Sequence, residues 1–302
     1  MKKRTAQSYD REDRRFEIVC HLILIILSVC CLYPFLIILG SSFEAQKQLV
    51  ITGYRAIPVK FSLEAYSSIF SYPERIFDAY KITAISTVLT TAGGIYLEST
   101  LGYVISRKDY SYRSGLSMFV FFTMLFNGGL VPSYILISRW LELKDTIWAL
   151  VLPGLAGAWH VLMFKTFFMA IPPALIESAK IDGAKEYTIF FRIIIPLSKP
   201  AFACIGLFLL LQAWNDWYSS LLYIETESKV QLQYLLMSIM QNIEKLNNAD
   251  PAQLGINAGM QNIPSLNARM AMCVIAAGPI LVIFPFFQKY FVKGLTVGSV
   301  KG

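Results

Sequence analysis

The sequence predicts an all-α membrane protein with six transmembrane helices and a cytoplasmic helix between the fourth and the fifth. Three observations support this class. Hydrophobic residues make up 55% of the 302 residues and charged residues 16%, with a mean hydropathy of +0.52, which is more apolar than an ordinary soluble domain. The apolar residues fall into separate long runs. The basic residues gather beside particular runs rather than over the whole chain.

Six apolar runs have about the 20 residues that a helix needs to cross the hydrocarbon core of a bilayer. They cover residues 18–40, 82–106, 114–138, 146–170, 201–224 and 270–288. Glycine and proline recur inside them, as in "FNGGLVP", and helices in lipid accept these residues where neighbours satisfy the freed backbone groups. The runs therefore predict a six-span domain over residues 18–290.

The orientation follows from lysine and arginine, which collect on the cytoplasmic side of membrane proteins. The short loop between spans two and three carries Arg107, Lys108 and Arg113. The segment before span one carries Lys2, Lys3, Arg4, Arg11, Arg14 and Arg15. This places the N-terminal segment 1–17, residues 172–200 and the C-terminal tail 291–302 in the cytoplasm. The same bias explains the net charge of +7, so no nucleic-acid partner is expected.

Residues 172–200 form a charged segment between spans four and five. Pro172 and Pro173 end the fourth span, and the following "ALIESAKIDGA" is compatible with a helix along the membrane surface, with Ala174, Ile181 and Ala184 on one face. Gly183 stands where this helix ends, and supplies either an unusual backbone angle or room for a close approach. On periodicity alone, a solvated loop explains the segment equally well.

The residue types and their spacing in this segment form a specific pattern. Glu177-Ser178-Ala179, three residues, Gly183, nine residues and then Ile193-Ile194-Ile195-Pro196 resembles the EAA signature of the inner-membrane subunits of ATP-binding cassette (ABC) importers. Ser178 replaces the first alanine of that signature and Ile195 replaces its leucine. The stretches "LGYVISR", "FNGGLVPSYIL", "LQAWNDWYSSLLYI" and "VKGLTVGSVKG" resemble the carbohydrate-uptake branch of these permeases.

The resemblance implies a permease subunit of an ATP-driven importer of an oligosaccharide or glycoside in the bacterial plasma membrane. Its implied partners are a second permease, two cytoplasmic ATPases and an extracellular solute-binding protein. Residues 172–200 would then be the coupling loop that docks on an ATPase. The coupling residues would be Glu177, Ser178, Ala179, Asp182, Gly183, Ile193 and Pro196. No cofactor is expected in this chain, because the partner subunits would hydrolyse ATP.

No catalytic or metal-binding residues are predicted. The sequence has neither a phosphate-binding G-x-x-x-x-G-K-[ST] loop nor an H-E-x-x-H motif, and it has two histidines, His21 and His160, which we assign to packing. A membrane-embedded enzyme is one alternative, but it lacks a paired catalytic constellation. An ABC permease for a solute other than a sugar is another. A secondary carrier coupled to ions or protons is a third, with Glu98 and Asp216 as coupling groups.

Two polar positions within the spans are candidates for function. The stretch "AWNDWYSS" offers Trp214, Asn215, Trp217 and Tyr218 to a sugar, with the aromatic residues on one helix face at i, i+3 and i+4. An aromatic belt at the membrane interface explains them equally well. Glu98 is either a residue of the substrate path or the partner of Lys165 or Arg107.

Overall fold

The computed structural model describes residues 2–70, 73–247 and 266–299. These residues are almost entirely helical, and the described part of the chain forms no strand beyond an isolated bridge between Glu44 and Phe61. In the described residues, the α-helices are α1 (Lys2–Ser42), α2 (Gln46–Thr52), α3 (Glu64–Ile69), α4 (Pro73–Ser106), α5 (Arg113–Leu125), α6 (Leu130–Ile135), α7 (Ile147–Val151), α8 (Ala158–Met169), α9 (Pro173–Ile181), α10 (Glu186–Ile189), α11 (Ile195–Leu197), α12 (Lys199–Trp214), α13 (Tyr218–Tyr223), α14 (Leu232–Asn247) and α15 (Leu266–Ser299). Short 3-10 helices cover Leu152–Gly154 and Glu227–Lys229.

The chain divides into two compact units. One comprises residues 1–72 and 239–276, and the other comprises residues 73–238 and 277–302. In the first unit, the buried carboxylate of Glu44 accepts hydrogen bonds from the backbone N–H groups of Val59 and Lys60, at 2.8 and 2.9 Å. The amide of Asn267 donates to the carbonyl oxygen of Glu44 at 3.1 Å. These bonds hold the loop after α1.

The second unit is organised around α4, which packs against α8 and α12. Between Ala79 and Gly102 the buried residues of α4 are small or polar, among them Thr83, Ser86, Thr90 and Gly94. A Cβ added at Gly102 would lie 2.6 Å from the Cβ atom of Phe164. Small residues let helix backbones approach closely, and this is how membrane helices gain packing energy.

Two stretches in the described part of the chain are long and apolar enough to cross a membrane alone, Phe16–Ser42 and Leu266–Phe286. Three more candidates arise when two helices are joined across a bend. The first two coincide with predicted spans three and four, and the third overlaps predicted span five only over residues 201–214, because its first helix lies in the predicted loop 172–200. These pairs are Arg113–Leu125 with Leu130–Trp140, bent by 108°, Ile147–Gly154 with Ala158–Met169, bent by 46°, and Glu186–Leu197 with Lys199–Trp214, bent by 84°. The total by this criterion is two to five.

The predicted boundaries at residues 17 and 290 do not coincide with helix ends. α1 begins at Lys2 and α15 continues to Ser299, so both predicted terminal segments extend the adjoining helix, and residues 300–302 lie outside the described residues. The segment predicted between spans five and six contains α14, and its residues 248–265 are likewise outside them.

Candidate functional site

The segment 172–200 contains a helix with a defined end. α9 begins after Pro172 with Pro173 in its first position, where the missing N–H group costs nothing. At its end, the N–H group of Gly183 donates to Lys180 O at 3.0 Å and that of Ala184 donates to Ala179 O at 2.9 Å. These are the two hydrogen bonds of a Schellman cap, in which the residue after the helix adopts a left-handed conformation.

Gly183 has that conformation, with φ at +79°. A Cβ added to it would have no atom within 4 Å. Of the two roles predicted for Gly183, the unusual backbone angle is confirmed, and no described residue of this chain makes a close approach to it. The position requires glycine for its conformation, because L side chains are strained at positive φ.

The packing face of the segment differs from the predicted one. Ile176, Ala179 and Ala184 pack against a core cluster that includes Tyr103, Phe190 and Ile194. Ala174, Ile181 and Ala184 were predicted to share one helix face, but the helix ends at Ile181, and Ala174 and Ile181 are exposed while Ala184 is not. The reason is the cap, which reverses the chain after Ile181 and directs Ala184, but not Ile181, toward the core.

The seven predicted coupling residues divide by burial. Glu177, Ser178, Asp182 and Gly183 are exposed around the cap. Ala179 and Ile193 are partly buried and pack against the core cluster. Pro196 is exposed within α11, just before the bend that leads into α12. The first four, with Ile181, form one exposed surface, which we call the tip.

A charged cluster lies next to the tip and was not predicted as a site. It joins Tyr103 and Arg107 at the end of α4, Asp109 in the following loop, Lys180 on α9 and Glu186 on α10. Arg107 contacts Asp109 through Nε at 2.9 Å and Nη2 at 2.7 Å. Lys180 Nζ lies 2.6 Å from Asp109 Oδ2 and 2.9 Å from Glu186 Oε1. The Tyr103 hydroxyl donates to Glu186 Oε2 at 2.6 Å.

The oppositely charged groups of the cluster stabilise one another. Hydrogen bonds from Arg107 and then Lys180 hold the pKa of Asp109 below its usual range, so the carboxylate is ionised at neutral pH. The side chain of Arg107 is 11% exposed, and it meets Asp109 in the bidentate geometry that gives charge-assisted bonds their specificity. The sequence did not indicate this cluster, because Lys180 and Glu186 lie more than 70 residues from the segment that carries Arg107 and Asp109.

Glu98 is a buried residue of α4, and its side chain contacts the start of α8. Its Oε1 atom accepts a hydrogen bond from the N–H group of Gly157 at 2.7 Å and lies 3.2 Å from Nδ1 of His160. The carboxylate therefore caps the positive end of the α8 dipole. Both predicted partners were wrong, since Arg107 belongs to the charged cluster and Lys165 donates to Ser117 at 2.6 Å. His160 has a specific contact that periodicity did not reveal.

Gly157→Ala will disturb this capped helix start. The added Cβ would lie 2.8 Å from Nδ1 of His160 and 3.1 Å from Oε1 of Glu98. We expect a loss of about 1–3 kcal/mol in unfolding free energy, because packed sites relax poorly around an extra methyl group. Gly115→Ala is the control, since no atom lies within 4 Å of its added Cβ. Thermal unfolding of the two purified variants will show equal midpoints if this packing has no role.

The aromatic residues of "AWNDWYSS" were predicted to share one helix face, but the structure divides this stretch between two helices. α12 ends at Trp214 and α13 begins at Tyr218. The carboxylate of Asp216 accepts hydrogen bonds from the N–H groups of Tyr218 and Ser219, at 3.0 and 3.1 Å, and so starts the new helix. Asn215 donates to Leu211 O at 2.8 Å at the end of the old one.

The aromatic residues of this stretch are consequently separated. Trp214 is 6% exposed, and its ring centroid lies 6.3 Å from that of Tyr80. Trp217 and Tyr218 are exposed and contact each other edge to face, with centroids 5.6 Å apart. The spacing i, i+3 and i+4 does not reveal a break in the helix, because the same residues occur in the sequence with or without the break.

A cavity of about 190 Å³ lies beside this break. Its polar lining residues are Thr90, Gln212, Asp216, Ser219 and Gln231. Gln231 is held by hydrogen bonds with Ser220 Oγ and Ser86 Oγ, both at 3.1 Å. None of the four residues predicted for a sugar is among the residues that line the cavity in the described part of the chain. Amide, hydroxyl and carboxylate groups in a concave site are suited to recognition of hydroxyl groups.

Comparison with known proteins gives a consistent result. Residues 101–297 match the family model described as "Binding-protein-dependent transport system inner membrane component". The chain is 36% identical over 291 residues to the polygalacturonan/rhamnogalacturonan transport system permease protein YtcP of Bacillus subtilis (strain 168), covering 96% of this chain and 100% of that protein. It is 28% identical over 299 residues to the arabinooligosaccharides transport system permease protein AraQ of the same organism, covering 95% and 96%.

A solved structure extends this agreement to the fold. A bacterial ABC transporter involved in the import of the acidic polysaccharide alginate has a chain that matches with a TM-score of 0.78 and 27% identity, covering 93% of this chain and 98% of that one. The relatives are permeases rather than enzymes, which agrees with the predicted lack of catalytic residues. The chain belongs to the family of inner-membrane components of binding-protein-dependent transport systems, and it is a permease of the ABC importer type.

Proposed function

We propose that this permease imports an oligosaccharide or glycoside, and that its tip docks on a cytoplasmic ATPase subunit. The main observation behind this proposal is that the tip is exposed, in a chain that belongs to this family of permeases. Ile181 is 86% exposed beside the acidic residues Glu177 and Asp182, on a helix whose other side is fixed to the core. An exposed isoleucine on a rigid helix end is suited to a groove on a partner.

The arrangement in the membrane is part of the same proposal. Six spans result if α4 is added to the two single and three bent candidates. α4 is long enough, and its hydroxyl and glycine residues face helices rather than lipid. The excess of basic residues supports a cytoplasmic position for both termini, for the charged cluster and for the tip.

The partners and the chemistry follow from family membership. A second permease would complete the pathway, two ATPases would hydrolyse ATP, and an extracellular binding protein would deliver the sugar. This chain would bind no cofactor itself. Closure of the ATPases would displace the tip and move the spans as rigid bodies, which is how domain rotation produces alternating access.

The sugar would contact the cavity beside the break between α12 and α13. The relatives' names include neutral and acidic carbohydrates, and the cavity offers hydroxyl-binding groups together with one carboxylate, Asp216. Trp217 and Tyr218, both exposed at the break, are placed to stack on a sugar ring. Trp214 and Asn215 would support the break from the protein side.

Gln212→Leu tests the position of this sugar site. The variant replaces an amide by an apolar group of similar size, so we expect KM for uptake to rise about tenfold through the loss of hydrogen bonds to the sugar. Trp214→Phe is the control, since that ring packs against the protein. Equal KM values for Gln212→Leu and the wild type would place the sugar site elsewhere.

The function is tested by uptake into proteoliposomes that contain the full complex with its binding protein. We expect uptake of at least one member of a panel of neutral and acidic oligosaccharides, requiring internal ATP and insensitive to ionophores. Uptake that survives without ATP and stops when the ion gradient collapses would indicate a secondary carrier instead.

A further inference from the structure

The charged cluster connects two segments that are far apart in the sequence, residues 103–109 and residues 180–186. Lys180 lies 71 residues from Asp109 and Glu186 lies 83 residues from Tyr103. Through the backbone, the segment 172–200 is attached to α8 on one side and to α12 on the other. The side chains of the cluster add a third attachment, to the end of α4.

The cluster holds both arms of the turn at Gly183. Lys180 precedes the glycine and Glu186 follows it, and the two side chains meet with Lys180 Nζ 2.9 Å from Glu186 Oε1. Each arm also contacts the α4 end, because Lys180 binds Asp109 and Glu186 accepts from Tyr103. Movement of the turn relative to α4 would therefore break at least two contacts at once.

The strength of this attachment lies in its geometry rather than in the number of charges. Isolated surface ion pairs contribute little, and Lys180 and Asp109 are partly exposed. Here, however, Arg107 is nearly buried beneath the pair, its guanidinium carbon lies 5.6 Å from the centre of the Tyr103 ring, and Tyr103 is itself 7% exposed. A bidentate arginine fixed by a buried ring gives both carboxylates a defined position.

α4 leads from the cluster to the cavity. At about 1.5 Å of rise per residue, Thr90 in the cavity wall lies roughly 20 Å along this helix from Tyr103. The helix is packed closely between its neighbours along this length, as the short Cβ distances at Gly94 and Gly102 indicate. A displacement of its charged end is consequently carried along the helix rather than absorbed.

We propose that the charged cluster is a strut that joins the tip to α4 and transmits displacement of the tip to the cavity wall. This inference rests on the proposed docking of the tip on an ATPase. It assigns Tyr103, Arg107, Asp109, Lys180 and Glu186 as positioning residues for transport. The strut acts after docking, so its loss separates ATP hydrolysis from uptake.

Lys180→Met tests the strut, because it removes the bridging charge and keeps the length of the side chain. In the full complex in proteoliposomes, we expect the ATPase subunits to remain bound and ATP hydrolysis to continue, while uptake falls and the ATP consumed per sugar rises at least about fivefold. Lys180→Arg should restore coupling. Lys144→Met is the matched control, because it removes a 2.6 Å ion pair with Glu225 outside the cluster.

The other outcomes separate the strut from the proposed function. Wild-type uptake and wild-type ATP use in Lys180→Met would overturn the strut. Loss of the ATPase subunits from that variant would also overturn it, since the cluster would then shape the docking surface itself. If the wild-type complex shows no ATP hydrolysis in response to loaded binding protein, docking fails and the strut fails with it.

Discussion

Gly183→Val will lower ATP-driven uptake by about tenfold or more while the permease still reaches the membrane. Gly183 has φ at +79°, and a β-branched residue there costs of the order of 1–3 kcal/mol. Opening the Schellman cap relieves this backbone strain. We expect it to move the tip and to separate Lys180 from Glu186. A difference of about 1.4 kcal/mol between two conformations is a tenfold change in their ratio.

Gly183→Asn is the control at the same position. Asparagine tolerates the left-handed conformation, and an added Cβ would have no atom within 4 Å. Uptake in inverted or reconstituted vesicles, at matched protein levels, should therefore be largely retained in the asparagine variant. Equal loss in the valine and asparagine variants would mean that the surface around Gly183, rather than its conformation, decides docking.

Glu98→Leu will destabilise the permease by about 3–5 kcal/mol. The leucine leaves the N–H group of Gly157 and Nδ1 of His160 buried and without their acceptor, and breaking a buried hydrogen-bonded pair by removing one member has costs of this size. Glu98→Gln keeps an oxygen for Gly157 and should lose less. Denaturation of the purified variants in detergent provides the measurement.

Glu98→Gln also addresses the carrier alternative. If Glu98 holds the start of α8 in place, its amide variant will retain ATP-driven uptake in proportion to the amount of folded protein. If Glu98 were a coupling group for protons, the amide would abolish uptake at full stability. The second result would contradict the structural role that its contacts with Gly157 and His160 indicate.

The sequence contained enough information for the turn at Gly183 but not for what surrounds it. Spacing from Glu177 to Gly183 is a local property, so the helix and its glycine end could be predicted. The contacts of Lys180 with Asp109 and of Glu98 with His160 join residues 71 and 62 positions apart. No periodicity within a window of the sequence indicates such pairs.

The bends inside the predicted spans were not predicted. Span three was predicted as one run through "FNGGLVP", but Gly129 has φ at +89° there and the two helices meet at 108°. The break in "AWNDWYSS" was missed, although Asp216 before an apolar run is a helix start signal. The aromatic spacing dominated that interpretation because it fits a continuous helix equally well.

The central claim, that the tip docks on an ATPase, is tested most directly by a photo-crosslinking amino acid placed at Ile181 in the intact complex. We predict a crosslink to the ATPase subunit that is lost when the ATPase is absent. The same probe at Trp140, which is 80% exposed at the end of predicted span three, should give no such product. Crosslinking to the ATPase from position 140 but not from position 181 would contradict the assignment of residues 172–200 as the docking segment.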